Sequence, residues 1–149
     1  MLAGAVVAVG IRNPFLIVPL AITSHFVLDV LPHFGVHRHD SAKRNKHPLF
    51  QYVLCIDILL TIALLVALPF MLQDAVASWV LLLGMILAFA PDLVWIHHFY
   101  YERRYKKVRQ EGRLSRFHAW IQWGERPWGV FIELVWFSAM GVLLGVLAA

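Results

Sequence analysis

Apolar residues in this chain run in long stretches separated by short polar turns. Residues 2–11 make only about half a membrane span, since crossing needs roughly 20 apolar residues. Arg12-Asn13-Pro14 reads as a turn, with Pro14 placed to open the next helix. Residues 15–31 sit near the lower limit for a span, whereas 49–72 and 75–96 are full length and meet at a polar turn, Gln73-Asp74. Residues 128–149 form the last stretch. The pattern predicts an all-α fold: a polytopic membrane helical bundle of four main transmembrane helices plus a short N-terminal apolar helix, half-length or re-entrant. At 149 residues this is a single domain, and no internal repeat, linker or low-complexity tract divides it.

Composition supports lipid as the solvent. Hydrophobic residues make up 60% and charged residues 15%, against about 25% charged in a soluble domain. The mean hydropathy is +0.70. The lone cysteine, Cys55, lies inside an apolar run, which excludes a disulfide framework or a Cys-rich zinc site. The opening Leu2-Ala3-Gly4-Ala5 lacks the basic flank and cleavage site of a secretory signal, so it reads as part of the fold.

Basic residues orient the bundle. Arg38, Lys43, Arg44 and Lys46 lie in loop 33–48, and Arg103, Arg104, Lys106, Lys107, Arg109, Arg113, Arg116 and Arg126 lie between the last two spans. Only Arg12 falls elsewhere. The positive-inside rule therefore makes loops 33–48 and 99–127 cytoplasmic. Trp95, Phe99, Tyr100, Tyr101, Trp120, Trp123 and Trp128 cluster where helices should leave that interface. Within the basic, aromatic segment 99–127, residues 113–123 mix Arg with Leu114, Phe117, Trp120 and Ile121. That stretch is either a topogenic charge cluster or a helix lying on anionic headgroups.

Ionisable residues inside the spans carry the candidate chemistry, because each costs about 2.5–3.5 kcal/mol at the bilayer centre unless compensated. His25 and Asp29 are four apart, on one helix face and about 6 Å apart along the axis. An imidazole and a carboxylate so spaced can share one cation. His33 follows at the same interval, beyond a helix-breaking Pro32. Asp57, Asp92 and Glu133 sit at similar depth on the other spans, with His97 and His98 just past Asp92. A lone helical His is more often a packing residue than a ligand. Four carboxylates in one layer, however, repel each other unless protonated or bound to a cation. Nitrogen and oxygen donors without thiolate suit zinc first, with manganese, iron or magnesium as alternatives. His37, Arg38, His39, Asp40 and His47 add ligands or form a solvated turn, and His118 lies where it can close over the site.

Ser24-His25-Phe26-Val27-Leu28-Asp29 with Pro32-His33 resembles a signature of small bacterial membrane proteins similar to the YdjM-like membrane-bound metal-dependent hydrolases. The resemblance extends to Ala90-Pro91-Asp92-Leu93-Val94-Trp95 and to Phe117-His118 through Gln122-Trp123-Gly124-Glu125, and more distantly to zinc-dependent phospholipase C. It implies an inner-membrane enzyme whose metal ligands include His25 and Asp29. The combined expectation is a membrane-embedded metal-dependent hydrolase acting on a lipid or phosphoester at the cytoplasmic face. Its metal set is His25, Asp29, His33, Asp92 and Asp57, with His97, His98 and His118 as further ligands. Glu133 or Asp57 accepts the proton, and Arg103, Arg104, Lys106 and Lys107 hold the substrate phosphate. Membrane lipids are the expected partners and nucleic acid is not; an oligomer stays open. Rival classes are a cation- or proton-conducting subunit and a haem-binding or scaffolding subunit.

Overall fold

The structure, a computed structural model, describes residues 1–35, 48–93 and 112–149. These form α1 (Leu2–Ile11), α2 (Pro14–Val30), β1 (His33–Phe34), α3 (Pro48–Met71) and α4 (Ser78–Phe89) with a 3-10 turn at Ala90–Asp92. The amphipathic α5 (Arg113–Ile121), a 3-10 turn at Gln122–Gly124, β2 (Glu125–Arg126) and α6 (Gly129–Ala148) follow. The fold is mostly helical.

Local chemistry sets the helix ends. Arg12 closes α1 in the left-handed region at φ 57° and gives its N–H to Ala8. Asn13 then caps α2 by accepting the Phe15 N–H at 3.0 Å, with Pro14 in the first turn. α2 stops at Val30 because Pro32 disfavours helical backbone at Leu31, which is extended. His33 therefore leaves the helix and does not continue the stripe of His25 and Asp29. The α3–α4 turn is longer than its sequence suggests. Leu72 accepts N–H groups from both Ala75 and Val76, Val76 is buried beneath the turn, and α4 starts only at Ser78.

Of the four main spans expected, two helical stretches among the described residues have the length and hydropathy to cross a bilayer, Gln51–Met71 and Gly129–Ala148. α1, α2 and the stretch Ser78–Asp92 are apolar but shorter. Within the two long stretches, only 6% of the most apolar window is buried inside the protein. Leu59, Phe131, Val135, Val142 and Val146 all point outward.

The core lies where α1, α2 and α4 meet. Ala5, Ala8, Val9, Ile17, Ala21, Leu81 and Met85 are fully or almost fully buried there. α1 and α4 cross through small residues, Gly4 and Ala8 on one and Gly84 and Ala88 on the other. A Cβ added to Gly84 would stand 2.5 Å from the Gly4 carbonyl oxygen. Such small-xxx-small crossings let backbones approach closely and gain dispersion where lipid removes the hydrophobic drive.

At one end of the bundle, β1 and β2 pair in parallel, His33 with Glu125 and Phe34 with Arg126. Gly129 lies directly against the backbone of His33, and Gly124 against the Leu31 carbonyl. The segment leaving α2 is thus tied to the segment entering α6.

Gly84→Ala should destabilise the protein by about 1–3 kcal/mol, the range for overpacking a tight contact. Gly141→Ala, where an added Cβ meets nothing within 4 Å, should be neutral or slightly stabilising. Thermal unfolding of both variants in detergent checks the contrast.

Candidate functional site

His25 is the one buried ionisable side chain among the described residues, at 8% exposure. Its Nδ1 lies 2.9 Å from the Ala88 carbonyl oxygen. A carbonyl only accepts, so Nδ1 carries a proton and donates it. That carbonyl is available because Ala88 sits in the last turn of α4, where carbonyls run out of helical partners. Pro91, three residues on, has no N–H to offer.

With Nδ1 committed, Nε2 turns toward two acids. It stands 3.2 Å from Asp29 Oδ2, one helical turn along α2, and 3.7 Å from Asp92 Oδ1 in the 3-10 turn after α4. Asp29 is mostly covered and Asp92 about half exposed. Phe26 meets the His25 ring edge-on at 5.4 Å and Phe117 of α5 at 5.5 Å, so α5 is seated beside this group. The same helix exposes Arg113, Arg116, Phe117 and Trp120.

These acids open into a cavity of about 460 Å³. Its wall holds all four carboxylates singled out in the sequence: Asp29, Asp57, Asp92 and Glu133. His33 also lines it, with Nδ1 2.9 Å from the Leu31 carbonyl. No Lys or Arg is among the described residues of that wall. Glu133 is already engaged, since its Oε1 accepts the Phe34 N–H at 3.0 Å. That bond draws β1 onto the first turns of α6.

Among the described residues, no group of three or more His, Cys, Asp and Glu side chains is arranged to hold a metal ion as it stands. What stands there instead is the contact centred on His25. Of the ligand set expected from sequence, His25, Asp29 and Asp92 come together. His33 is held by the Leu31 carbonyl, and Asp57 reaches the cavity from α3. His118 falls in α5. His97, His98, Arg103, Arg104, Lys106 and Lys107 lie outside the described residues, as do His37, Arg38, His39, Asp40 and His47.

Several features were missed from sequence: the Ala88 carbonyl, the Phe34 N–H, and the apolar wall formed by Leu60, Leu64, Trp136, Phe137 and Met140. The wall did leave a signal, because these residues follow Asp57 and Glu133 at helical intervals. The backbone partners left none. Comparison with family models, with curated proteins and with solved structures returned no match to this chain.

His25→Ala and Asp29→Ala should be non-additive. Groups in direct contact couple by about 0.5–3 kcal/mol, and a double-mutant cycle on unfolding in detergent should return a coupling in that range. Additivity within error would mean that the 3.2 Å contact does not exist in solution.

Proposed function

We propose that this protein is a membrane-embedded, metal-dependent hydrolase acting on a lipid or phosphoester at the cytoplasmic interface. The observation behind the reading is that carboxylates from four separate elements line a single cavity and that a buried imidazole behind it reaches two of them. Acids drawn together in this way repel one another, and a shared cation relieves that repulsion. The outward apolar faces of α3 and α6, and the concentration of Lys and Arg in loops 33–48 and 99–127, support a bilayer as the setting.

The donor set fits a divalent ion. Two ligands on one tetrahedral zinc, each about 2.0–2.2 Å from it, stand about 3.4 Å apart. The His25 separations of 3.2 and 3.7 Å bracket that value, so small side-chain rotations convert contact into coordination. His25, Asp29 and Asp92 would hold the ion. The Ala88 carbonyl would fix the imidazole tautomer that leaves Nε2 for the metal, a familiar outer-shell role. When bound, the ion supplies Lewis acidity toward a phosphoryl oxygen.

Other residues take the remaining roles. Asp57, across the cavity on α3, accepts the proton of the attacking water. Glu133, although expected as an equal candidate base, has one oxygen on Phe34 and serves to hold the rim against α6. Arg103, Arg104, Lys106 and Lys107 supply phosphate contacts in this reading, and α5 lies along anionic headgroups.

Elemental analysis of detergent-purified protein tests the proposal. Wild type should retain stoichiometric zinc or a related divalent ion, removable by chelator. The His25→Ala/Asp29→Ala double variant should retain less than a tenth as much. Full metal content in a folded double variant, or none in wild type, refutes the assignment.

A further inference from the structure

Resting on that hydrolase reading, we infer that the substrate is a lipid phosphoester whose acyl chain enters sideways between α3 and α6. The two helices carry matching stripes. On α3, Asp57 is followed by Leu60, Thr61 and Leu64; on α6, Glu133 is followed by Trp136, Phe137 and Met140. Both sets fall three, four and seven residues beyond the acid, which keeps them on one helix face. Each stripe runs about 10 Å past its carboxylate. The cavity is therefore polar at one end and almost wholly apolar at the other.

The apolar end is not sealed. α3 leans mainly on α4, α6 leans on α1 and β1, and α3 and α6 barely touch each other. Leu60 and Phe137 line the cavity yet keep about half of their surface open, at 47% and 50%. Around these helices the solvent is hydrocarbon in this reading, so what fills the gap comes from the bilayer.

Polarity decides which bilayer component fits. The gap joins carboxylates at one end to Leu60, Leu64, Phe137 and Met140 at the other, the order of a charged head group and its hydrocarbon tail. A transmembrane helix has no such order, whereas an acyl chain does. Its head group then lies at the carboxylates, and an anionic phosphate is tolerated there through the cation held by His25, Asp29 and Asp92. A free, water-soluble phosphoester would leave the apolar end of the site unused.

Two measurements on the full chain test this. In amphipol, the metal-loaded protein should bind alkyl phosphates of two to eight carbons with affinity rising by up to about fourfold per methylene. A flat series overturns the inference. Separately, Leu64→Trp and Met140→Trp narrow the gap without touching an acid, whereas Val66→Trp adds bulk at an exposed position outside the cavity wall. Native mass spectrometry with added phosphatidylglycerol should show retained lipid falling at least tenfold in the first two and persisting in the third. Metal content should be unchanged in all three variants. Undiminished lipid in a folded plug variant, or a dimer broken by plugging, overturns the inference while leaving the metal reading intact. Lipid retained by a wild type that holds no metal sinks the hydrolase reading and supports the chain site.

Discussion

The backbone contact between α1 and α4 is the constraint on which the rest depends. Gly4 and Gly84 let two helices meet with carbonyl against glycine and nothing between them. Side-chain packing tolerates rotamer adjustment, but a contact made by main-chain atoms has none to give. It fixes how α4 lies against α1, and hence where the Ala88 carbonyl points. α2 then packs on both helices and brings His25 onto that carbonyl. One close crossing thereby sets the tautomer of an imidazole whose other nitrogen faces two acids.

Around that anchor, the helices divide their labour. The short ones, α1, α2 and α4, bury one another and build the core; the long ones, α3 and α6, contribute little to it and present apolar surface outward. Each long helix nevertheless brings one carboxylate to the cavity wall. Asp57 and Glu133 thereby meet the other acids and His33 rather than standing alone on an apolar face.

Much of this was legible in the sequence because charge is scarce in an apolar chain. Asp29, Asp57, Asp92 and Glu133 stood out against their surroundings, and the i,i+4 spacing of His25 and Asp29 fixed their shared face without any tertiary knowledge. Span lengths were read less well. Hydropathy opens the third span at Ala75, but a turn held by the Leu72 carbonyl runs on to Ala77, and local hydropathy does not register the apolar part of that turn. Pro32 marks the break that takes His33 off the α2 stripe; what the sequence leaves open is where His33 then goes, which is into a strand pair at the cavity wall. The Glu133–Phe34 bond could not be read at all, since it joins a side chain to a main-chain N–H far away in sequence. The Gly4/Ala8 and Gly84/Ala88 pairs were present as small residues at four-residue intervals, a signal that hydropathy alone passes over.

The parallel sense of β1 and β2 has a temporal consequence. No hairpin can join parallel neighbours; a long crossover must intervene, and here it includes α3, α4 and α5. During synthesis, His33 therefore waits until Glu125 has been made, while α1, α2 and α4 can already pack on one another and, of the α6 core residues, still await Leu144. The rim of the acidic chamber closes after most of the interior beneath it has set. A nascent chain stopped short of β2 would carry the His25 contact but lack the seam that joins α2 to α6.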